Sequence, residues 1–274
     1  MPSAPRLPAR VRALGLAAAA ACGGPPPGPP PSYAPVLAPG ESVFFVGNSF
    51  FDWEQRRLPQ WVASIGEAAT PRFAMQTGDD IVPGDLPLID FLDDDAVREA
   101  LASRRHAVFV LQGHEYEAVD AKAQFHQAVR DFHAAITAAG GRTVLFMTWE
   151  LRWREFIDEL SASYDEIGRE LGIPVIPAGL VFADCGQSPP PGRSRHWLTA
   201  SATEPEGDLH PNAAGMAASA YTSFAILTGR DPTDVPLPAA AAELDAATLQ
   251  QLSRAAWRRA QPRLQPAPAE VPRP

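Results

Sequence analysis

Cysteine is nearly absent: the chain has two in 274 residues. Two thiols cannot build a disulfide framework or a cysteine-rich zinc module. Basic charge is also scarce. Lys and Arg number 23 against 32 Asp and Glu, a formal net charge of −9, whereas a general nucleic-acid binder carries a basic footprint. Charged residues make up only 20% and apolar ones 46%, too little charge and too much core-forming material for a wholly disordered chain. No Gly-rich phosphate loop occurs, because Gly140-Gly141 follows a helical pattern and reads as its C-cap. There is no internal repeat, and the length allows one large domain or two small ones.

Proline, by contrast, is abundant, and it crowds the two ends. Of the 30 prolines, eleven lie in residues 1–40 and five in residues 262–274. The first 21 residues read as a targeting segment: Arg6, Arg10 and Arg12 precede an apolar stretch from Ala13 to Ala21. That stretch is too short to span a bilayer, which takes about 20 apolar residues. Small residues directly before Cys22, then a Pro-rich run, resemble a bacterial lipoprotein signal, in which the Cys becomes the lipidated first residue. An ordinary cleaved signal with a chance Cys, or an unprocessed N-terminus, is the alternative. The expected organisation is a signal over 1–21, a stiff Pro/Gly-rich linker over 22–40, a domain over 41–261 and a disordered tail over 262–274. A membrane contact would come from the lipid on Cys22. Loss of residues 1–21 would remove three Arg and no acid, taking the charge from −9 to −12.

Between the ends, short apolar runs alternate with helical patterns. Residues 43–46, 72–76, 107–111, 143–147 and 174–177 read as strands. Leu58, Trp61, Val62 and Ile65 share one helix face; Phe125, Ala128, Val129, Phe132 and Ile136 share another, as do Ile157, Leu160, Tyr164, Ile167 and Leu171. Further helices are expected over 93–104, 212–227 and 237–261. Repeated strand–helix units predict an α/β domain with a parallel sheet, here of five strands, and helices on both faces.

In such sheets, functional side chains sit beyond the carboxyl ends of the strands. After the first strand comes Gly47-Asn48-Ser49-Phe50, a tight turn that presents a serine at the sheet rim. Before the helix over 212–227 comes Glu206-Gly207-Asp208-Leu209-His210-Pro211-Asn212. A His beside carboxylates suits a general base held in one tautomer. Asn, Ser and His-Pro-Asn are equally ordinary in turns and helix caps, so it is the pair, in the order Ser then His, that carries the signal.

Over about residues 41–230 this pair of blocks resembles the SGNH (GDSL-type) hydrolase superfamily. Phe45-Val46-Gly47-Asn48-Ser49-Phe50, Val110-Leu111-Gln112 and Met147-Thr148-Trp149 resemble an uncharacterised bacterial branch of it. The resemblance implies a three-layer α/β/α sandwich of flavodoxin-like type with no cofactor and no metal. It implies Ser49 as nucleophile and His210 as base. It also implies an oxyanion hole from the N–H groups of Ser49 and Gly78 together with a side chain of the third block, His114 or Gln112. The family places an Asp three residues before the His; here position 207 is Gly, which makes Asp208 the candidate orienting carboxylate and Glu206 the fallback. The implied activity is hydrolysis of a carboxylic ester, with an O-acetyl group on a carbohydrate as one candidate substrate. The competing reading is a non-catalytic carbohydrate- or surface-binding module on the same fold.

Other residues admit two readings. Trp149, Trp153 and Trp197 suit either the walls of a substrate cleft or packing. Asp93-Asp94-Asp95 suits a helix start better than a cation site. His126 and His133 lack a third ligand nearby in sequence. Cys185 is expected to be a buried spectator thiol.

Overall fold

The computed structural model describes residues 30–77, 81–83, 86–201, 203–237 and 243–265. The expected export segment, Cys22 and Gly78 lie outside the described residues.

The strands β1 (Val43–Gly47), β5 (Val108–Gln112), β6 (Arg142–Phe146) and β7 (Val175–Ile176) pair in parallel, with β4 (Ile81–Pro83) on the far side of β1, giving the order β4-β1-β5-β6-β7. All five residues of β1 and of β5 are buried. Burial on both faces is why they read as continuous apolar runs instead of alternating ones. Phe45, Val110, Val144 and Phe146 point to one side. There they meet α1 (Leu58–Ala68), α6 (Ala178–Gln187), α7 (Ala213–Thr228) and α8 (Ala246–Ala260). Phe44, Val46, Phe109, Leu111 and Leu145 point to the other, against α2 (Asp95–Ser103), α4 (Lys122–Ala139) and α5 (Ile157–Leu171). A one-turn helix, α3 (Glu117–Asp120), precedes α4, and a hairpin of β2 (Asp52–Trp53) and β3 (Arg56–Arg57) stands apart from the main sheet.

Helix ends follow local chemistry. Asp94 caps α2, its carboxylate accepting from the N–H groups of Ala96 at 2.8 Å and Val97 at 3.2 Å. The acidic run is therefore a helix start, with Asp93 and Asp95 beside Arg98. Asn212 caps α7 in the same way, through Ala214 and Gly215.

Three expectations are corrected. Residues 72–76 are not a strand: only Gln76 bridges, to Ser42, and the sheet edge is formed by β4. The helix α6 was not expected, because a short segment with Gly179 and Gly186 has little helical signal. The domain also extends past both expected boundaries. Leu37 is buried, and the N–H groups of Val36 and Leu37 donate to the Leu227 carbonyl at 3.1 and 2.9 Å. At the other end Arg263 is buried in an ion pair with Asp165, and Tyr33 pairs with Leu264 in a parallel bridge. Buried apolar and paired charged groups hold these segments despite their proline content.

Candidate active site

The end of β1 sets the position of Ser49. A side chain at Gly47 would lie 2.7 Å from the Phe51 ring and 2.8 Å from Gln112 Oε1, so only glycine lets the turn pack here. Asn48 then closes the turn. Its Oδ1 accepts from the Phe50 N–H at 3.0 Å and from Gln112 Nε2 at 2.6 Å. Its carbonyl accepts from the Phe51 N–H at 3.0 Å. Ser49 is left half-buried at the carboxyl edge of the sheet.

His210 comes from a loop on the other side of the chain. Asp208 N–H donates to the Thr199 carbonyl at 3.0 Å, and Trp149 Nε1–H to the Leu209 carbonyl at 3.1 Å. Asn212 Nδ2 donates to the carbonyls of Trp197 at 2.7 Å and Ala200 at 2.8 Å. Together these bonds bring His210 Nε2 to 2.8 Å from Ser49 Oγ. This is hydrogen-bonding distance for a nucleophile and its base.

Position 207 needs glycine for two reasons. Its φ is +107°, and a side chain there would meet His196 Cβ at 2.5 Å. An Asp three residues before the histidine therefore has no room in this loop, and Arg152 Nε donates to the Gly207 carbonyl at 2.9 Å. Glu206 is exposed and accepts through its carbonyl from Ser194 Oγ at 3.1 Å.

The third block lies beside this pair. Gln112 spends both amide protons, on Asn48 Oδ1 and on the Gly113 carbonyl at 3.2 Å, while its Oε1 is buried without a partner. His114 is half-buried, and its N–H donates at 2.9 Å to Glu117 Oε2. The same buried carboxylate oxygen accepts from the Leu88 N–H at 3.1 Å, so Glu117 fastens the loop after β5.

The sequence reading missed Trp53. Its ring lies over His210 with centroids 3.5 Å apart and planes within 4°, and Phe50 stands nearly perpendicular to the same imidazole with centroids 6.0 Å apart. Its position on a two-residue strand gives no local pattern to read. Trp149 is a packing residue, stacked between Phe50 at 4.5 Å and Phe182 at 4.1 Å, and Trp197 is likewise buried. Trp153 is exposed. Cys185 is a buried free thiol whose pKa burial pushes up to about 12, with the Asp184 carboxylate adding to the shift. It is therefore a poor nucleophile. His126 bonds to Ser163 and His133 to Thr143. Among the described residues no group of His, Cys, Asp or Glu converges as metal ligands do.

No protein-family model matches the chain, and no curated protein matches it significantly. Solved structures do match. A DUF4886 family protein from Bacteroides uniformis superposes with a TM-score of 0.56 at 14% identity, over 82% of this chain and 97% of that one. A candidate SGNH hydrolase from Slackia heliotrinireducens gives 0.52 at 16%, over 69% and 99%. An acetylxylan esterase from Geobacillus stearothermophilus gives 0.53 at 12%, over 70% and 96%. At these identities the likeness is one of fold: the chain has an SGNH-like α/β fold.

Proposed function

We propose that the protein is a serine hydrolase of carboxylic esters, with Ser49 as nucleophile and His210 as general base. The observation that carries this reading is the 2.8 Å Ser49 Oγ to His210 Nε2 contact at the carboxyl edge of a parallel sheet. A serine hydroxyl is a weak nucleophile until a base takes its proton. In the proposed cycle, Oγ attacks the ester carbonyl carbon as its proton passes to Nε2, and the carbonyl electrons move onto oxygen. The tetrahedral intermediate then collapses, and Nε2–H protonates the departing alcohol. Water attacks the acyl-enzyme carbonyl and gives a proton to Nε2; the second tetrahedral intermediate then expels Ser49 Oγ, which takes that proton back as the acid leaves.

The oxyanion needs donors fixed in advance, each contributing roughly 2.7–4 kcal/mol by analogy with one measured case. We assign the N–H groups of Ser49 and Gly78 to this role, with His114 as the side-chain candidate, because the amide protons of Gln112 are already bonded. Asn48 Nδ2, which donates to nothing among the described residues, is a further candidate. Asp208, two residues before His210 on the same loop, is the carboxylate we assign to orienting the ring.

An O-acetylated carbohydrate is the proposed substrate class, supported by the shared fold with an acetylxylan esterase and by the exposed Trp153, which offers a face for a sugar ring. We further propose that the protein is exported and anchored by a lipid on Cys22; among the described residues no helix is long and apolar enough to cross a membrane. Hydrolysis of p-nitrophenyl acetate and of acetylated xylan by the purified chain, compared with Ser49→Ala, tests the enzyme reading. Labelling of Ser49 by a fluorophosphonate probe is the expected result. Equal turnover in both proteins, or no turnover and no labelling, overturns it in favour of a binding module. Loss of palmitate labelling in Cys22→Ala tests the anchor.

A further inference from the structure

The face-to-face contact of Trp53 with His210 is built, not incidental. Trp53 ends β2, and the two residues that turn the hairpin, Glu54 and Gln55, have φ of 50° and 64°. Two positive φ values are what a two-residue hairpin turn requires, and glycine or asparagine usually supplies them. This chain adopts the turn without either. The hairpin is fastened on both sides. Arg57 pairs with Asp52 at 3.3 Å, and Arg56 bridges Glu54 at 2.6 Å and Glu243 at 3.0 Å. The Leu58 N–H donates to the Phe51 carbonyl at 2.8 Å. A strained turn held this way keeps an indole flat against the imidazole whose Nε2 faces Ser49.

An indole face is the best aromatic partner for a cation, and it attracts a charged ring far more than a neutral one. We propose that Trp53 is a positioning residue for His210: it fixes the plane of the ring and stabilises the imidazolium over the neutral imidazole. In turnover, which rests on the hydrolase reading above, that cation exists between attack by Ser49 and protonation of the leaving alcohol. The effect on the ring itself needs no turnover.

Among the described residues, the charged groups on the segments around the ring are Asp52, Glu54, Arg56 and Arg57 on the hairpin, Glu204, Glu206 and Asp208 on the histidine's own loop, Arg152 tied to Gly207, and His114 and Glu115 on the loop after β5. All of them persist when only Trp53 is changed, so the difference between variants isolates the indole.

The test is an NMR titration of the His210 ring in the full chain, in Trp53→Phe, in Trp53→Leu, and in a chain carrying fluorinated tryptophan at position 53. Each is measured with Ser49 intact and as Ser49→Ala. The His210 pKa should fall by about 0.5 unit in Trp53→Leu, less in Trp53→Phe, and stepwise with fluorination. Fluorination keeps the size of the indole while draining its face, so it remains informative if Trp53→Leu does not fold. In turnover of p-nitrophenyl acetate, kcat should drop about tenfold in Trp53→Leu with KM little changed, as for an interaction made in the transition state. The acid limb of kcat/KM should move to lower pH by the same shift seen in the titration. An unmoved His210 pKa across the series overturns the proposal, as does a rise in KM at constant kcat, which would assign the indole to substrate. A pKa shift in a chain that shows no Ser49-dependent turnover would leave the stack standing and refute the hydrolase reading.

Discussion

The two members of the candidate dyad are held in different ways. Ser49 is placed by the main chain: it follows a fully buried strand, and the turn beyond Gly47 is closed by backbone and by Asn48. His210 is placed by side chains that reach its loop from elsewhere. Trp149 and Arg152 fasten the neighbouring carbonyls, Asn212 clasps the loop base, and Trp53 lies on the ring. A serine held by strand geometry tolerates changes that leave the turn intact. A histidine held by several separate contacts is exposed to the loss of each.

The largest effects should treat the two residues as equals. Ser49→Ala and His210→Ala should each lower kcat/KM for p-nitrophenyl acetate by about 10⁴-fold or more. The double variant should be scarcely worse than either single one, because the two act as a unit; losses that multiply would break the pairing.

Next comes the loop of the base. Gly207→Ala forces a side chain onto positive φ and into His196, and should destabilise the fold by about 2–4 kcal/mol, measured by urea unfolding. On the nucleophile's side, Asn48→Ala strands the Phe50 N–H and the Gln112 amide, both buried, at a cost of about 1–3 kcal/mol. If Gly207→Ala proves the milder of the two, the contrast between a rigidly held serine and a vulnerable histidine loop is wrong. Trp149→Phe deletes the bond to the Leu209 carbonyl and thins the buried stack with Phe50 and Phe182, and should cost about 1–2 kcal/mol of stability and a few-fold in kcat.

The smallest effect concerns pH. Burial, and then Arg195, hold His196 below the usual histidine value, and burial does the same to His126. Both are therefore kept neutral in the fold more readily than in the unfolded chain. Stability should be complete above the unfolded value of about 6.5 and fall as pH drops from there through the lower folded values. Urea midpoints at neutral and mildly acidic pH should show this, and His196→Gln should flatten the dependence; an unchanged slope would remove His196 as a cause.

The same division explains what could be read from the sequence. The strands at 43–46, 107–111 and 143–147 were legible because a doubly buried strand is a plain apolar run, and the Ser–His pair was legible because its blocks sit at strand and helix ends. Residues 72–76 misled because one bridge leaves the same local apolar pattern as a strand. Trp53 was silent because its partner lies far along the chain, and a stacking contact leaves no spacing to find. Position 207 lacks the Asp of the SGNH pattern for a local reason: the loop turns there through positive φ and packs against His196, and only glycine does both. Composition also misjudged the ends, since the proline in residues 33–37 and 262–265 hid the few buried and paired groups that anchor them.

Those ends meet. Tyr33 N–H donates to the Arg263 carbonyl at 2.8 Å, and Gln265 N–H to the Tyr33 carbonyl at 2.9 Å. The chain therefore enters and leaves the domain at a single corner, like a loop tied off with one knot. Along the chain from residue 30, the clasp between residues 33 and 263–265 comes first, then the Val36 and Leu37 bonds to Leu227, and only then the sheet. The same closure makes the domain a natural candidate for circular permutation: a short linker from beyond residue 265 back to residue 30 joins ends that already touch, and new termini can be cut into an exposed loop such as 188–195.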